Sequence, residues 1–432
     1  MRTKSRKYRL NKYCVKTEVK EGTLIYNAFT GALIMIRPFE LINIYTEDDC
    51  DYVDFMVNNY FLVPENYDED YMVEQARIKK SIPITETYLD RPHSFTILTT
   101  TKCNARCFYC YEMKSKNKHH MSLETAEKVA KYILKYSKPN TTIKLDWFGG
   151  EPTYNSQVID LIVSRLASAG RDYVSSMISN GYLFDDDLVE KAKHEWKLDN
   201  IQITLDGTEE VYNKIKNYIY KDCDSPYKKI IQNIHRLIDQ KIHVSIRMNC
   251  DSHNVDIITN LINELAIEFK DCSPYFSMYV WPIFEEGFVR TDEQREHLFN
   301  CLGAANQIIF DSGFAIAKQL NGPQLLHCQV DGGDGVTISP DGDLGLCEHY
   351  IDSEFWGHID NPLIKNFDNI KEWRNYVPKT EICDDCVLKP SCLRIFKCPD
   401  ETPCSIQEKN YQLKTTILAM NWAWEQFKKN PP

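Results

Sequence analysis

The sequence predicts an α/β fold, a partial (β/α)6 barrel with a smaller unit attached at each end, and three observations predict it. Between about residues 95 and 283, six short β-branched or apolar runs alternate with longer segments of helical period, the pattern of βα units on a parallel sheet. Ahead of that region the texture changes to short strands, a turn and short helices; behind it come Gly-rich turns and closely spaced cysteines with little periodicity. At 432 residues the chain is also longer than one ordinary domain and has ample material for a core.

The elements follow in order. Residues 22–36 read as strands with a turn, 38–58 and 69–79 as short helices, and the Asp- and Pro-containing stretch 85–92 as a linker. The six barrel strands are expected at residues 95–101, 143–148, 174–180, 201–205, 244–249 and 275–283. Between them lie amphipathic helices: Ser122 is a candidate N-cap for a helix carrying Leu123, Ala126, Ala130, Ile133 and Leu134, and residues 255–269 repeat apolar side chains at helical spacing. The units are drawn at 1–85, 93–320, 321–406 and a closing helix within 407–432.

Composition narrows the function. Hydrophobic content of 43% and charged content of 26% belong to a soluble globular protein. The basic stretch 1–13 is followed by no apolar run, and nothing approaches the roughly eighteen apolar residues of a membrane span, so a cytoplasmic protein without membrane contact is expected. A net charge of −11 argues against a general nucleic-acid binder, which needs a basic surface. Sixteen cysteines without a secretion signal point to metal rather than disulfides.

Cys103, Cys107 and Cys110 are spaced C-x3-C-x2-C directly after the first expected strand. Soft thiolates suit iron-sulfur clusters, and three of them leave one of four irons without a protein ligand. Buried structural thiols or a zinc site are the alternatives. The loop position favours a site, because βα barrels gather their active sites at the C-terminal ends of the strands.

This triad, with Tyr109 before its last cysteine, resembles the motif of the radical S-adenosylmethionine (SAM) superfamily, whose TIM-like partial barrel it implies. Gly149-Gly150-Glu151 after the second strand resembles the family's GGE motif, implying that backbone and the Glu151 carboxylate hold the SAM ammonium. Ser179-Asn180 ends the third strand and Asp206 the fourth, at places that meet the rest of SAM, and Arg247 on the fifth implies a partner for the SAM carboxylate. The cofactors so implied are SAM and a [4Fe-4S] cluster that generates a 5′-deoxyadenosyl radical.

Farther on, Cys328, Gly342, Cys347, Cys383, Cys386, Cys392, Cys398 and Cys404 resemble the SPASM domain, which implies two auxiliary [4Fe-4S] clusters and three clusters in all. By that resemblance Cys328, Cys347 and Cys398 hold the first, and Cys383, Cys386, Cys392 and Cys404 the second. Five residues rather than the family's usual three separate Cys392 from Cys398. A zinc ribbon is the alternative. Glu348, next to Cys347, lies where related anaerobic sulfatase maturases carry an acidic general base.

Residues 1–85 hold 12 Lys/Arg against 13 Asp/Glu, too neutral for a DNA-binding winged helix. The segment 24–33 followed by short helices resembles the PqqD-like RiPP recognition element, a winged-helix-like module, and implies that an extended leader peptide adds to a strand edge. Together these parts imply a peptide maturase. It would bind a ribosomally made precursor, form thioether or carbon-carbon crosslinks, and take electrons from a flavodoxin or ferredoxin. The alternatives are a formylglycine-generating sulfatase maturase, a peptide epimerase, and a non-catalytic iron-sulfur or zinc protein.

Overall fold

The computed structural model describes residues 8–37, 51–76, 91–110, 118–251, 253–272, 274–283, 290–322, 335–349, 355–362, 381–392 and 404–429. Cys328, Cys398 and nearly all of the expected linker at 85–92 lie outside them.

The N-terminal part begins with β1 (Tyr8–Leu10), β2 (Cys14–Val19), β3 (Gly22–Asn27) and β4 (Leu33–Ile36). Next come α1 (Asp51–Asn58), β5 (Leu62–Pro64) and helical residues 69–76. β2, β3 and β4 form an antiparallel sheet in that order, and β1 pairs with β5. β3 is buried along its whole length, which fits its apolar run Leu24-Ile25-Tyr26.

The central part starts with β6 (Ser94–Thr100), α2 (Leu123–Tyr136), β7 (Ile143–Gly149), α3 (Ser156–Ser168) and β8 (Tyr173–Ser179). It continues through α4 (Asp186–His194), β9 (Leu198–Thr204), α5 (Glu209–Lys216) and α6 (Pro226–Asp239). β10 (His243–Cys250), α7 (Val255–Glu268), β11 (Phe276–Pro282) and α8 (Asp292–Asp311) complete it. The six strands β6 to β11 are parallel and adjacent in chain order, as expected of successive βα units. Ser122 caps α2 as expected, its side chain accepting from the Thr125 N–H.

Alternation along the strands separates two faces. In β10, Val244, Ile246 and Met248 are buried in the main core, whereas Ser245 and Arg247 point to the opposite, half-exposed face. That second face is polar: the Ser176 hydroxyl donates to Asp146, Ser94 donates to the same carboxylate at 3.3 Å, and Tyr279 donates to Gln202 at 2.5 Å.

Beyond residue 321 the sequence reading held no strands. Among the described residues there are three: β12 (Gly335–Ile338), β13 (Asp343–Gly345) and β14 (Phe355–His358). β12 lies parallel to β6, and β13 and β14 follow antiparallel, so among the described residues the central sheet has nine strands in the order β11-β10-β9-β8-β7-β6-β12-β13-β14. A short turn of helix, α9 (Glu381–Asp384), precedes the long closing helix α10 (Ile406–Lys429). α10 packs on α8 and reaches β2, and its Met420 is buried with Leu388 among Tyr13, Val15, Leu24 and Tyr26. Among the described residues, no helix is long and apolar enough to cross a membrane.

Candidate functional site

The expected site residues meet at one edge of the sheet, because parallel strands place all their C-terminal ends on the same side. Cys103, Cys107 and Cys110 occupy the loop after β6, Gly149 ends β7, Ser179 ends β8, Asp206 follows β9 by two residues, and Arg247 lies near the end of β10.

The glycine pair locks the cysteine loop in place. Gly150 N donates to Thr100 O at 2.9 Å and Glu151 N to Lys102 O at 3.0 Å, so the two loops run backbone to backbone just ahead of Cys103. A Cβ on Gly149, which has φ +125°, would stand 2.2 Å from Thr100 O; one on Gly150 would stand 2.4 Å from Lys102 O. Only glycine permits this approach.

Glu151 is fully buried, and its carboxylate faces inward. One oxygen accepts from Thr153 N at 3.2 Å, Thr153 Oγ1 at 2.5 Å and Ser179 Oγ at 2.8 Å; the other accepts from Asn180 N at 2.7 Å. Burial pushes its pKa up, and these hydrogen bonds only partly offset the shift. The carboxylate thus ties the end of β8 to the turn after β7.

Asn180 continues the tie. Its Nδ2 donates to Asn104 Oδ1 at 2.7 Å and approaches Cys103 Sγ at 3.8 Å, while Ala105 N donates to the same sulfur at 3.3 Å. Burial first, then the nearby Glu151, Cys107 and Cys110, push the Cys103 thiol up to about 12. A free thiol there keeps its proton, and metal binding would displace it. Among the described residues no three His, Cys, Asp or Glu side chains are close enough to share a single ion. Cys107 and Cys110 both bear electrostatically on Cys103, and three soft thiols on one loop are the donor set that an iron-sulfur cluster takes.

On the other side of the loop, Tyr109 and Asp206 meet each other. The Tyr109 hydroxyl donates to Asp206 Oδ2, Lys216 Nζ lies 3.0 Å from the same oxygen and donates to the tyrosine hydroxyl at 3.0 Å, and Asn249 Nδ2 donates to Asp206 Oδ1 at 2.9 Å. Asp206 is 2% and Lys216 3% exposed. Arg247 donates from Nε to Asn249 Oδ1 at 3.1 Å and lies over the half-exposed Trp281 ring, 5.8 Å from its centroid.

Sequence reasoning missed Lys216, Asn104 and the buried Tyr212 and Tyr218, whose hydroxyls are 3.0 Å apart. One signal was present: Lys216 follows Tyr212 by four residues and so shares the buried face of α5.

At the C-terminal end, Cys347 follows β13 with Glu348 half-buried beside it, and Cys383 and Cys386 flank the end of α9. Cys386 and Cys392 both bear electrostatically on Lys318, whose pKa is lowered by burial. Lys409, near the start of α10 and five residues past Cys404, donates to Asp385 O at 3.4 Å and ties that helix to the Cys383–Cys386 turn.

Against known proteins, a model described as the Radical SAM superfamily matches residues 97–262. An uncharacterized protein of Methanocaldococcus jannaschii is 31% identical over 260 residues, 57% of this chain and 82% of that protein. A probable GTP 3′,8-cyclase of Methanococcus maripaludis is 32% identical over 123 residues, which cover 28% of this chain and only 39% of the cyclase. Among solved structures, anSMEcpe with bound AdoMet aligns with a TM-score of 0.55 at 18% identity, covering 78% of this chain and 98% of that one. Streptococcus suis SuiB bound to its precursor peptide SuiA aligns with a TM-score of 0.51 at 12% identity, covering 89% of this chain and 94% of that one. At these identities the likeness to the solved structures is one of fold.

Proposed function

We propose, on the match of residues 97–262 to the Radical SAM superfamily, that this chain is a radical SAM peptide maturase that introduces oxidative crosslinks into a ribosomally made precursor. The observation that carries the reading is the stitching of the Cys103–Cys110 loop to the ends of β7, β8 and β9 through Gly150, Asn180 and Asp206. Four consecutive strand ends then bear on one thiol-lined loop.

In this reading Cys103, Cys107 and Cys110 would hold a [4Fe-4S] cluster that, together with SAM, would supply a 5′-deoxyadenosyl radical. The backbone of Gly149 and Gly150 holds the SAM ammonium, and Arg247 its carboxylate. Glu151 is given a different part from the one its motif implied: with its oxygens turned inward onto Thr153, Ser179 and Asn180, it holds the turn that presents those backbone groups.

A peptide substrate is supported by two features. The structures of SuiB with SuiA and of anSMEcpe with the Cp18Cys peptide share this fold. Among the described residues, β4 also pairs on one side only, with β3, which leaves an edge suited to an extended leader. Cys328, Cys347 and Cys398, and Cys383, Cys386, Cys392 and Cys404, would hold two auxiliary clusters that take up the second electron, and a flavodoxin or ferredoxin would donate the first. Glu348 is the candidate base.

The net change is loss of two hydrogens and gain of one thioether or carbon-carbon bond. Anaerobic co-expression with a short peptide encoded next to this chain, followed by mass spectrometry, tests it. Loss of two hydrogens per linkage is expected. An unchanged peptide mass alongside normal 5′-deoxyadenosine production would refute the crosslinking.

A further inference from the structure

We propose that Lys216 is a positioning residue of the cysteine loop and the buried cation that favours electron uptake by the cluster held there. This rests on the reading of Cys103, Cys107 and Cys110 as cluster ligands.

The geometry comes first. Lys216 ends α5, and its backbone carbonyl accepts from Arg106 N at 2.8 Å, while Ile219 N donates to Asn104 O at 2.9 Å. The stretch from Lys216 to Ile219 therefore holds the loop at two points between Cys103 and Cys107. The ammonium lies 5.6 Å from the ring centroids of both Tyr109 and Tyr212, so aromatic rings flank it.

Charge is the second part. Burying an ammonium and a carboxylate strips both of their hydration, a cost that well-packed apolar side chains filling the same volume would not carry. Burial pulls Lys216 down, but Asp206, Tyr109 and Cys107 together hold its pKa well above the usual lysine value, so it stays charged. Cys107 directly follows Arg106, whose backbone N–H is bonded to the Lys216 carbonyl, so this half-buried thiol starts from a backbone tied to Lys216. Reduction adds one negative charge to the cluster. A cation in this water-poor surround stabilises the reduced form, and the Asp206 carboxylate opposes it.

The opposed signs supply the test. Full-length protein, reconstituted anaerobically, is titrated with dithionite while the SAM-responsive part of its EPR signal is followed. The variants are Lys216→Met, Lys216→Arg, Asp206→Asn and the double Lys216→Met/Asp206→Asn. Lys216→Met should lower the reduced-to-oxidised ratio at fixed potential on the order of tenfold, about 59 mV for one electron. Asp206→Asn should move it the opposite way, the double variant should return toward wild type, and Lys216→Arg should stay close to it. A purely structural role predicts lost iron in both single variants with no shift in the clusters that remain, and that result overturns the proposal. If Lys216→Met holds no iron, Asp206→Asn decides: an upward shift supports the inference and an unmoved potential overturns it. Wild-type protein lacking any SAM-responsive cluster would instead remove the underlying reading of the three cysteines, and this inference with it.

Discussion

Replacing Gly150 by alanine should release the cysteine loop. The added Cβ would stand 2.4 Å from Lys102 O, 2.7 Å from Lys102 C and 3.0 Å from Thr101 O. Ordinary contact begins near 3.4 Å, so the two backbones must part by 3.4 − 2.4 = 1.0 Å. All three obstructing atoms are backbone, and hydrogen bonds of 2.9 and 3.0 Å on either side hold the segments together, so no side chain can swing away to relieve the clash. Overpacking of this kind costs about 1–3 kcal/mol, and one lost hydrogen bond adds about 1 kcal/mol, for a total of about 2–4 kcal/mol. About 3 kcal/mol is roughly a hundredfold in the equilibrium between closed and open loop. Hydrogen exchange of the peptide spanning residues 100–110, with iron and sulfide content after anaerobic reconstitution, reads both consequences. Gly303 in α8 is the control: a Cβ there meets nothing within 4 Å, and alanine favours a helix by about 0.5–1 kcal/mol. If Gly150→Ala exchanges and binds iron as Gly303→Ala does, the close approach of the two loops does not hold the site together.

Removing the Asn180 side chain frees Asn104 and weakens the contact to Cys103, so Asn180→Ala should keep the fold and lower iron content, measured against circular dichroism of the same sample. Burial raises the Glu151 pKa, so its contribution to stability is full below the unfolded value of about 4.3 and is lost as pH rises through the folded value. Urea unfolding across that range should fall more steeply with pH in wild type than in Glu151→Gln, and equal slopes would refute this. Asp70 behaves in the opposite way. Against the burial that raises it, bonds from Lys12, Tyr13 and Lys389 hold its pKa at about 2, so its stabilisation is present above the unfolded value and fades as pH falls toward 2. Because Asp70 is half exposed, Asp70→Asn should cost no more than about 1 kcal/mol, readable by thermal unfolding at pH 6. Deleting residues 1–85 uncovers Leu388 and Met420, at about 1.5–3 kcal/mol each, so the truncated chain should bind a hydrophobic dye and melt earlier. A truncated protein that melts with the full chain would mean that the N-terminal part is only tethered.

That shared core alters how a truncation is interpreted. Loss of activity on deletion would not by itself identify a leader-binding module, because the same deletion strips cover from the segment between Cys386 and Cys392, where Lys389 pairs with Asp70 at 3.1 Å. Peptide binding to the β4 edge in the intact chain is the cleaner measurement.

Taken alone, the sequence determined whatever depends on local pattern. The six parallel strands fall within three residues of their expected starts, Ser122 caps its helix, and the closing helix runs from Ile406 to Lys429, because each element's burial is written in its own periodicity. The cysteine spacing and the glycine pair were legible for a similar reason: each is a fixed local spacing, and the close backbone approach at Gly149 and Gly150 admits only glycine. Only the tertiary structure decided which way Glu151 turns, that Tyr109 and Asp206 meet on Lys216, and that β12 to β14 extend the central sheet. Strands of three or four residues carry too little periodicity to be read. A buried lysine looks like any surface lysine until the fold supplies its carboxylate, since a charge is placed by partners distant in the chain and not by its neighbours along it.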